Sequence, residues 1–239
     1  MNEEKHIEIV PTCVPRDCDD FIAKIKQISA FSSAAHVDID DGIMTPEFSW
    51  PYVGQGRLGE LQAELDKAVV KTVDNFLMQI HLMVSDPREI GDFFIQAGAH
   101  TIIVQAESCD GDASRVCAAI DAWRDRGVRE VGIAILLDTP IEKLEALLPC
   151  CDFVQVLSVA TIGAQGAPFD PRAIGRISDL HARFPDLPIM DDGGVSVSNI
   201  ASLAAAGATR FSVGSAIMRA PDPSLAYAQI KAAAETLIQ

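Results

Sequence analysis

Short apolar segments alternate with longer amphipathic segments along the 239 residues of the chain. The apolar segments have the length of strands, and the segments between them have the spacing of helices. The predicted strands are 6–10, 35–39, 76–83, 101–105, 131–137, 153–159, 187–190 and 209–214. The predicted helices are 19–31, 58–74, 87–97, 112–126, 140–148, 171–183, 197–206 and 222–237. Eight successive strand–helix pairs indicate βα units with parallel strands.

Several helix ends carry the expected signals. Aspartate and proline begin helices in SDPREI and DTPIEK, and glycine or proline ends them in QAGAH and RFPDLP. No linker, low-complexity tract or change of composition divides the chain. We therefore predict one α/β domain over 1–239, a single (β/α)8 TIM barrel. An open doubly wound sheet is the alternative, and segment 187–190 departs most from the strand pattern because it is short and directly precedes charged residues.

Composition narrows the possible partners. The net charge is −15, with 34 acidic residues against 19 lysines and arginines, which argues against nucleic-acid binding. The N-terminus does not resemble a signal peptide, and no apolar segment approaches the ~20 residues that span a bilayer. We expect a cytoplasmic protein that does not enter a membrane. The six cysteines lack metal-type spacing, and the adjacent Cys150 and Cys151 make a poor disulfide, so we expect reduced thiols.

Histidines and aspartates lie at the C-terminal ends of several predicted strands. His36 and Asp38 are two residues apart in HVDIDDG and point to the same side of their strand, while His81 and Asp192 follow on the third and seventh strands. Barrel active sites lie at this end. Each residue alone could be structural, as a hydrogen-bonded core histidine or a helix-capping aspartate. Together they favour a divalent metal site, for zinc, iron, manganese or cobalt.

Glycines follow the last two predicted strands. DDGGVS places Gly193 and Gly194 after the seventh strand, and VGSAIM places Gly214 and Ser215 after the eighth. In many barrels these two loops bind phosphate through backbone N–H groups. The glycines could instead only make tight turns. Their presence in two adjacent loops favours a phosphorylated ligand.

Six segments, in this order and at barrel intervals, carry a family resemblance. They are PTCV, HVDIDDG, IHLMVSDP, AGAHTIIVQAES, MDDGGVSVSNI and AAGATRFSVGSAI. Over most of its length the chain resembles the ribulose-phosphate 3-epimerases. The resemblance implies an isomerase of carbohydrate metabolism that acts on a phosphorylated ketose in the pentose phosphate pathway, holds one divalent metal ion and forms a homo-oligomer.

The resemblance also assigns roles to residues. It implies that His36, Asp38, His81 and Asp192 hold the metal, and that Asp38 and Asp192 are acid and base on opposite faces of the substrate. It further implies that Gly193, Gly194, Gly214 and Ser215 hold the phosphate, and that Thr12 and Met83 contact the substrate. The chemistry agrees, because inverting a carbon beside a ketone needs two proton carriers. A metal stabilises the enediolate formed in between as a Lewis acid.

The chain departs from the family pattern at substrate-facing positions. Asp40 and Leu157 stand where methionines are usual, Gln79 replaces an aspartate, and Gln105 replaces a histidine. The usual N-P-G-F-G-G-Q loop reads ATIGAQGAPF over 160–169. The metal and acid–base residues are retained, so we expect a shifted substrate or weakened catalysis.

Two other classes of protein stay open. An aldolase or decarboxylase on the same barrel is one, although related enzymes place a lysine in a D-x-K-x-x-D pattern and HVDIDDG has none. A non-catalytic sugar-phosphate-binding protein is the other. Metal content and proton exchange with solvent would separate these classes.

Overall fold

A computed structural model describes residues 7–68, 76–109, 112–159, 162–163 and 166–235. Its strands are β1 (Glu8–Cys13), β2 (Ala34–Asp40), β3 (Tyr52–Gly54), β4 (Arg57–Leu58), β5 (Leu77–Met83), β6 (Thr101–Gln105), β7 (Glu130–Leu136), β8 (Phe153–Leu157), β9 (Ile189–Asp192) and β10 (Arg210–Val213). All except β3 and β4 form one closed parallel barrel, in which β10 pairs with β1. The predicted TIM barrel is confirmed, and the open sheet is excluded.

Helices follow the barrel strands as predicted. They are α1 (Cys18–Ile28), α2 (Leu61–Ala68), α3 (Pro87–Gln96), α4 (Ala113–Asp125), α5 (Ile141–Glu145), α6 (Arg172–Arg183), α7 (Ile200–Ala206), α8 (Ser215–Met218) and α9 (Pro223–Glu235). The predicted helix 58–74 extends beyond the described residues after 68. The pattern did not reveal α8 or the antiparallel hairpin β3–β4. Within the described ranges, no helix is long and apolar enough to cross a membrane.

The barrel interior contains a layer of apolar side chains on the N-terminal side of the candidate site. A separate buried cluster lies there, formed by Val10, Ala34, Ile103, Ala134, Phe153 and Met190. Gly132 makes room for the Phe153 ring, because a Cβ at this glycine would lie 2.4 Å from it. The Arg210 guanidinium lies 4.9 Å from the ring centroid and pairs with Glu130 at 2.8 Å. The same strands become polar towards their C-terminal ends.

The expectation of reduced thiols is wrong for two cysteines. Cys117, on α4, forms a disulfide with Cys150, in the turn before β8, and their Cα atoms are 5.5 Å apart. The pairing joins residues 33 positions apart, because α4 packs beside this turn. The adjacency of Cys150 and Cys151 in the sequence therefore did not indicate whether Cys150 forms a disulfide with another cysteine. Cys13 and Cys151 are free thiols.

Candidate metal and acid–base site

Strand register brings the four predicted metal ligands together. Asp38 on β2 lies opposite His81 on β5, while Asp192 ends β9. His36 Nε2 and His81 Nδ1 lie 3.2 and 3.0 Å from Asp38 Oδ1, and 3.9 and 3.7 Å from Asp192 Oδ2. All four ligand atoms lie within 4.8 Å of one another. This convergence is what strand-end placement predicted.

The donor set fits a divalent ion. Bonds of about 2.0–2.2 Å place neighbouring ligands of a tetrahedral shell roughly 3.3–3.6 Å apart, close to the separations between these histidines and carboxylates. Two imidazole nitrogens and two carboxylate oxygens suit zinc, iron, manganese or cobalt. The histidines are fully buried, and the carboxylates are largely so. The cluster can therefore hold a metal ion at the bottom of the opening at the C-terminal end of the barrel.

Burial and neighbouring charge act differently on the two carboxyl groups. Burial opposes ionisation of Asp38, but hydrogen bonds and charge from His36 and His81 outweigh it and hold its pKa well below the usual range. Burial and the negative charge of Asp38 raise the pKa of Asp192. For His36, burial is outweighed by Asp38 and Asp192, and its pKa rises. The two carboxyl groups thus stand in different environments.

A polar network holds Asp192 in place. Ser212 donates to Asp192 Oδ1 at 2.8 Å, and Gln155 Nε2 donates to Oδ2 at 2.8 Å. Because the Ser212 hydroxyl proton is used in this bond, Thr12 donates to Ser212 Oγ, at 2.5 Å. Gln155 and Ser212 were not among the residues predicted for the site. The sequence signal for each was a polar residue between two apolar neighbours in a strand.

The predicted phosphate residues line one cavity together with Asp38 and Asp192. They are Gly193, Gly194, Gly214 and Ser215. Gly193 and Gly194 have φ values of 118° and 64°, and a Cβ at Gly194 would lie 2.7 Å from the backbone of Phe169. Both glycines therefore shape the turn. Their backbone is also open to a ligand in the cavity.

Substrate-facing positions divide into two groups. Thr12, Met83, Asp40 and Leu157 line the same cavity, as do described residues of the 160–169 loop, including Gly163.

Gln79 and Gln105 belong to the second group, since neither is among the cavity-lining residues. Gln79 lies opposite His36 in the register between β2 and β5. The Gln105 amide, in the orientation that satisfies it, donates to Ala134 O and Glu107 Oε2 at 3.0 Å each. Two of the four single-residue departures thus lie in the candidate substrate site.

Among the described residues that line this cavity, Asp40 is the one with a carboxyl group outside the metal cluster. It is 1% exposed, and burial followed by the negative charge of Asp38 raises its pKa to about 8. Its backbone N–H is bonded to Ser49 Oγ, at 2.8 Å. Within the part of the chain that the structure describes, its Oδ1 has no hydrogen-bond partner.

The fold and the site at the strand ends define a (β/α)8-barrel enzyme. The chain belongs to the Ribulose-phosphate 3 epimerase family, whose sequence profile matches residues 8–218, and the family's enzymes are isomerases. It is 28% identical to the ribulose-phosphate 3-epimerase of Synechocystis sp. over 95% of this chain and 94% of that one. The Rhodobacter capsulatus ribulose-phosphate 3-epimerase is 29% identical, over 92% and 89% of the two chains.

Solved structures confirm the fold. The 3-keto-L-gulonate-6-phosphate decarboxylase of Vibrio cholerae superposes with a TM-score of 0.68 at 13% identity, covering 98% of this chain and 99% of that one. The 3-hexulose-6-phosphate synthase of Salmonella typhimurium gives 0.65 at 15% identity, covering 97% and 100%. At these identities the likeness concerns the barrel alone.

Proposed function

We propose that the protein is a metal-dependent epimerase that inverts the carbon beside the ketone of a ketose phosphate. The carrying observation is the placement of Asp38 and Asp192, which line one cavity from strands separated by β1 and β10 in the barrel. Two carboxyl groups approaching from different strands suit a reaction that needs a proton carrier on each face of one carbon.

The proposed proton transfers use both aspartates in turn. One carboxylate takes the proton from the carbon next to the ketone, and the electron pair moves towards the carbonyl oxygen. The other carboxyl group gives a proton to the opposite face of the same carbon, which inverts it. A divalent ion held by His36, Asp38, His81 and Asp192 would stabilise negative charge on the substrate oxygens as a Lewis acid.

The surrounding residues support this assignment. Ser212 and Gln155 bond both oxygens of Asp192 and so orient it. Gly194 and Gly214 border the same cavity and would offer backbone N–H groups to the phosphate. None of the described residues lining the cavity is a lysine, the residue expected for the related decarboxylases. Relatives named ribulose-phosphate 3-epimerase favour the same chemistry.

Proton exchange with solvent tests the proposal whichever sugar the protein uses. The metal-loaded protein is incubated with a panel of pentulose and hexulose phosphates in D₂O, and NMR follows deuterium at the carbon beside the ketone. We expect deuterium in at least one substrate, together with its epimer. Binding of a ketose phosphate without exchange would contradict the proposal and favour a non-catalytic binding protein, while loss of a carbon fragment would favour a lyase.

A further inference from the structure

A buried hydrogen-bonding atom at the mouth of the barrel has no partner in the described part of the protein. Asp40 follows Asp38 by two residues on β2, and both side chains line the same cavity. The Asp40 side chain is almost completely buried, yet its Oδ1 meets no donor in the described ranges. Such atoms are costly in a folded protein, and each needs an explanation such as a catalytic role or a bound ligand, ion or water.

Among the described residues, Thr45 is a polar neighbour of the Asp40 carboxyl group. No lysine, arginine or histidine is among the described residues that line this cavity, so the carboxyl group has no ion-pair partner there. The 160–169 loop passes directly over it at Gly163. A Cβ on Gly163 would lie 3.1 Å from Asp40 Oδ1 and 2.5 Å from Thr45 Cβ. With a φ of 81°, Gly163 lets the loop pass this close to Asp40 and Thr45, where a Cβ would clash.

The position of Asp40 indicates which part of a substrate it would meet. The glycine loops follow β9 and β10, whereas Asp40 lies on β2 opposite Met83 of β5. A ketose phosphate with its phosphate at the glycine loops and its reacting carbon between Asp38 and Asp192 would extend its other end towards β2 and β5.

We propose that Asp40 is a specificity-determining residue that hydrogen-bonds the terminal hydroxyl group of the ketose phosphate, on the carbon remote from the phosphate. The inference rests on the proposed function, since it takes that substrate class and its orientation. It predicts that hydroxymethyl ketones bind well and that methyl ketones bind poorly. A buried polar group that loses its partner rejects the analogue strongly.

The test compares ligands with and without this hydroxyl group. Calorimetry measures binding of ribulose 5-phosphate and 1-deoxyribulose 5-phosphate, and of fructose 6-phosphate and 1-deoxyfructose 6-phosphate, to the metal-loaded full chain. We expect the parent to prefer the hydroxyl-bearing member of at least one pair by about 10- to 100-fold. Asp40→Leu should abolish this preference, and Asp40→Asn, which keeps an oxygen and adds donors, should retain most of it.

Controls separate recognition from charge and folding. Asp138→Asn removes one negative charge from an 82% exposed side chain that is not among the cavity-lining residues, so it should leave the preference unchanged. Circular dichroism and thermal unfolding report folding of each variant, and Asp40→Asn provides a second readout if Asp40→Leu fails to fold.

The outcomes distinguish this inference from the proposed function. Equal binding of both members of each pair by the parent, or a preference that survives in Asp40→Leu, would overturn the role of Asp40. Because binding needs no turnover, an Asp40-dependent preference without deuterium exchange would contradict only the epimerase activity. Exchange without that preference would contradict only the inference.

Discussion

The two ends of the barrel interior are built by the same strands and differ in how their side chains are satisfied. Towards the N-terminal ends, apolar side chains such as Phe153 and Met190 pack on one another. Towards the C-terminal ends, His36, His81 and Asp40 are buried, and each has an atom without a hydrogen-bond partner in the described chain. The first end stabilises the fold by packing, whereas the second gives up stability to hold buried polar groups around the candidate ligand site.

The largest expected effect follows from removing a proton carrier at the polar end. Asp38→Asn and Asp192→Asn are nearly isosteric, but an amide cannot carry the proton, so epimerisation should fall by ~10²–10⁴-fold while the barrel stays folded. NMR in D₂O measures both exchange and epimerisation. If the roles are divided, one variant still exchanges the proton of a given epimer and the other does not.

Metal content must be measured together with exchange and epimerisation, because Asp38 and Asp192 are also proposed metal ligands. Variants that keep their metal and epimerise at the parent rate would eliminate the two-aspartate mechanism.

The apolar end should show the reverse pattern. Phe153→Ala removes a fully buried ring from the barrel interior and should lower the free energy of unfolding by about 3–5 kcal/mol. Metal bound per folded chain should not change, since Phe153 belongs to the apolar cluster and not to the candidate ligand set.

Urea unfolding and elemental analysis measure the two quantities. The matched control is Phe48→Ala, at a 49% exposed side chain, which should change stability by no more than about 0.5 kcal/mol. A loss of metal from folded Phe153→Ala protein would show that the two ends are not independent.

Removing one metal ligand should have a smaller and more specific effect. The purified protein should hold about one divalent ion per chain. His81→Ala should lower metal affinity by at least about 10- to 100-fold, the loss expected even for a group that only supports a ligand. A competition titration with a chelator measures it, and circular dichroism checks the fold. Unchanged affinity would remove His81 from the proposed shell.

The strand pattern predicted the fold and the four clustered residues for one physical reason. Alternation along a strand and the common direction of parallel strands place His36, Asp38, His81 and Asp192 at one end, whatever the details of side-chain packing. The Cys117–Cys150 disulfide depends on how a helix and a turn pack around the barrel, which local pattern does not contain.

The hydrogen-bonding partners of single side chains could not be predicted in the same way. Gln155 and Ser212 act through partners on other strands. Asp40 and Asp41 are neighbours of equal burial, and the sequence does not distinguish them. Only the structure shows that Asp41 is fully engaged by the protein, whereas one oxygen of Asp40 has no partner among the described residues.

Substitution of Asp41 should have the smallest effect. It compares a fully hydrogen-bonded carboxylate with Asp40 at the same polar end of the barrel. Its Oδ1 accepts from the backbone N–H groups of Ile43 and Met44, and its Oδ2 accepts from the N–H and hydroxyl of Ser85. This carboxylate ties the loop after β2 to the loop after β5. Asp41→Asn places an amide group against these donors and should cost about 1–3 kcal/mol of stability at neutral pH.

The pH dependence identifies the carboxylate as the source of that stability. Burial opposes ionisation of Asp41, but the backbone N–H groups of Met44, Ser85 and Ile43 outweigh it and lower its pKa. A lowered pKa in the folded state means that the stabilisation is present above the unfolded value of about 3.9 and is lost as pH falls through the folded value. Urea unfolding should therefore show the gap between parent and Asp41→Asn narrowing below about pH 4. The exposed Asp138→Asn variant serves as the control, and a gap that stays constant down to about pH 2 would mean that Asp41 stabilises the loops by shape alone.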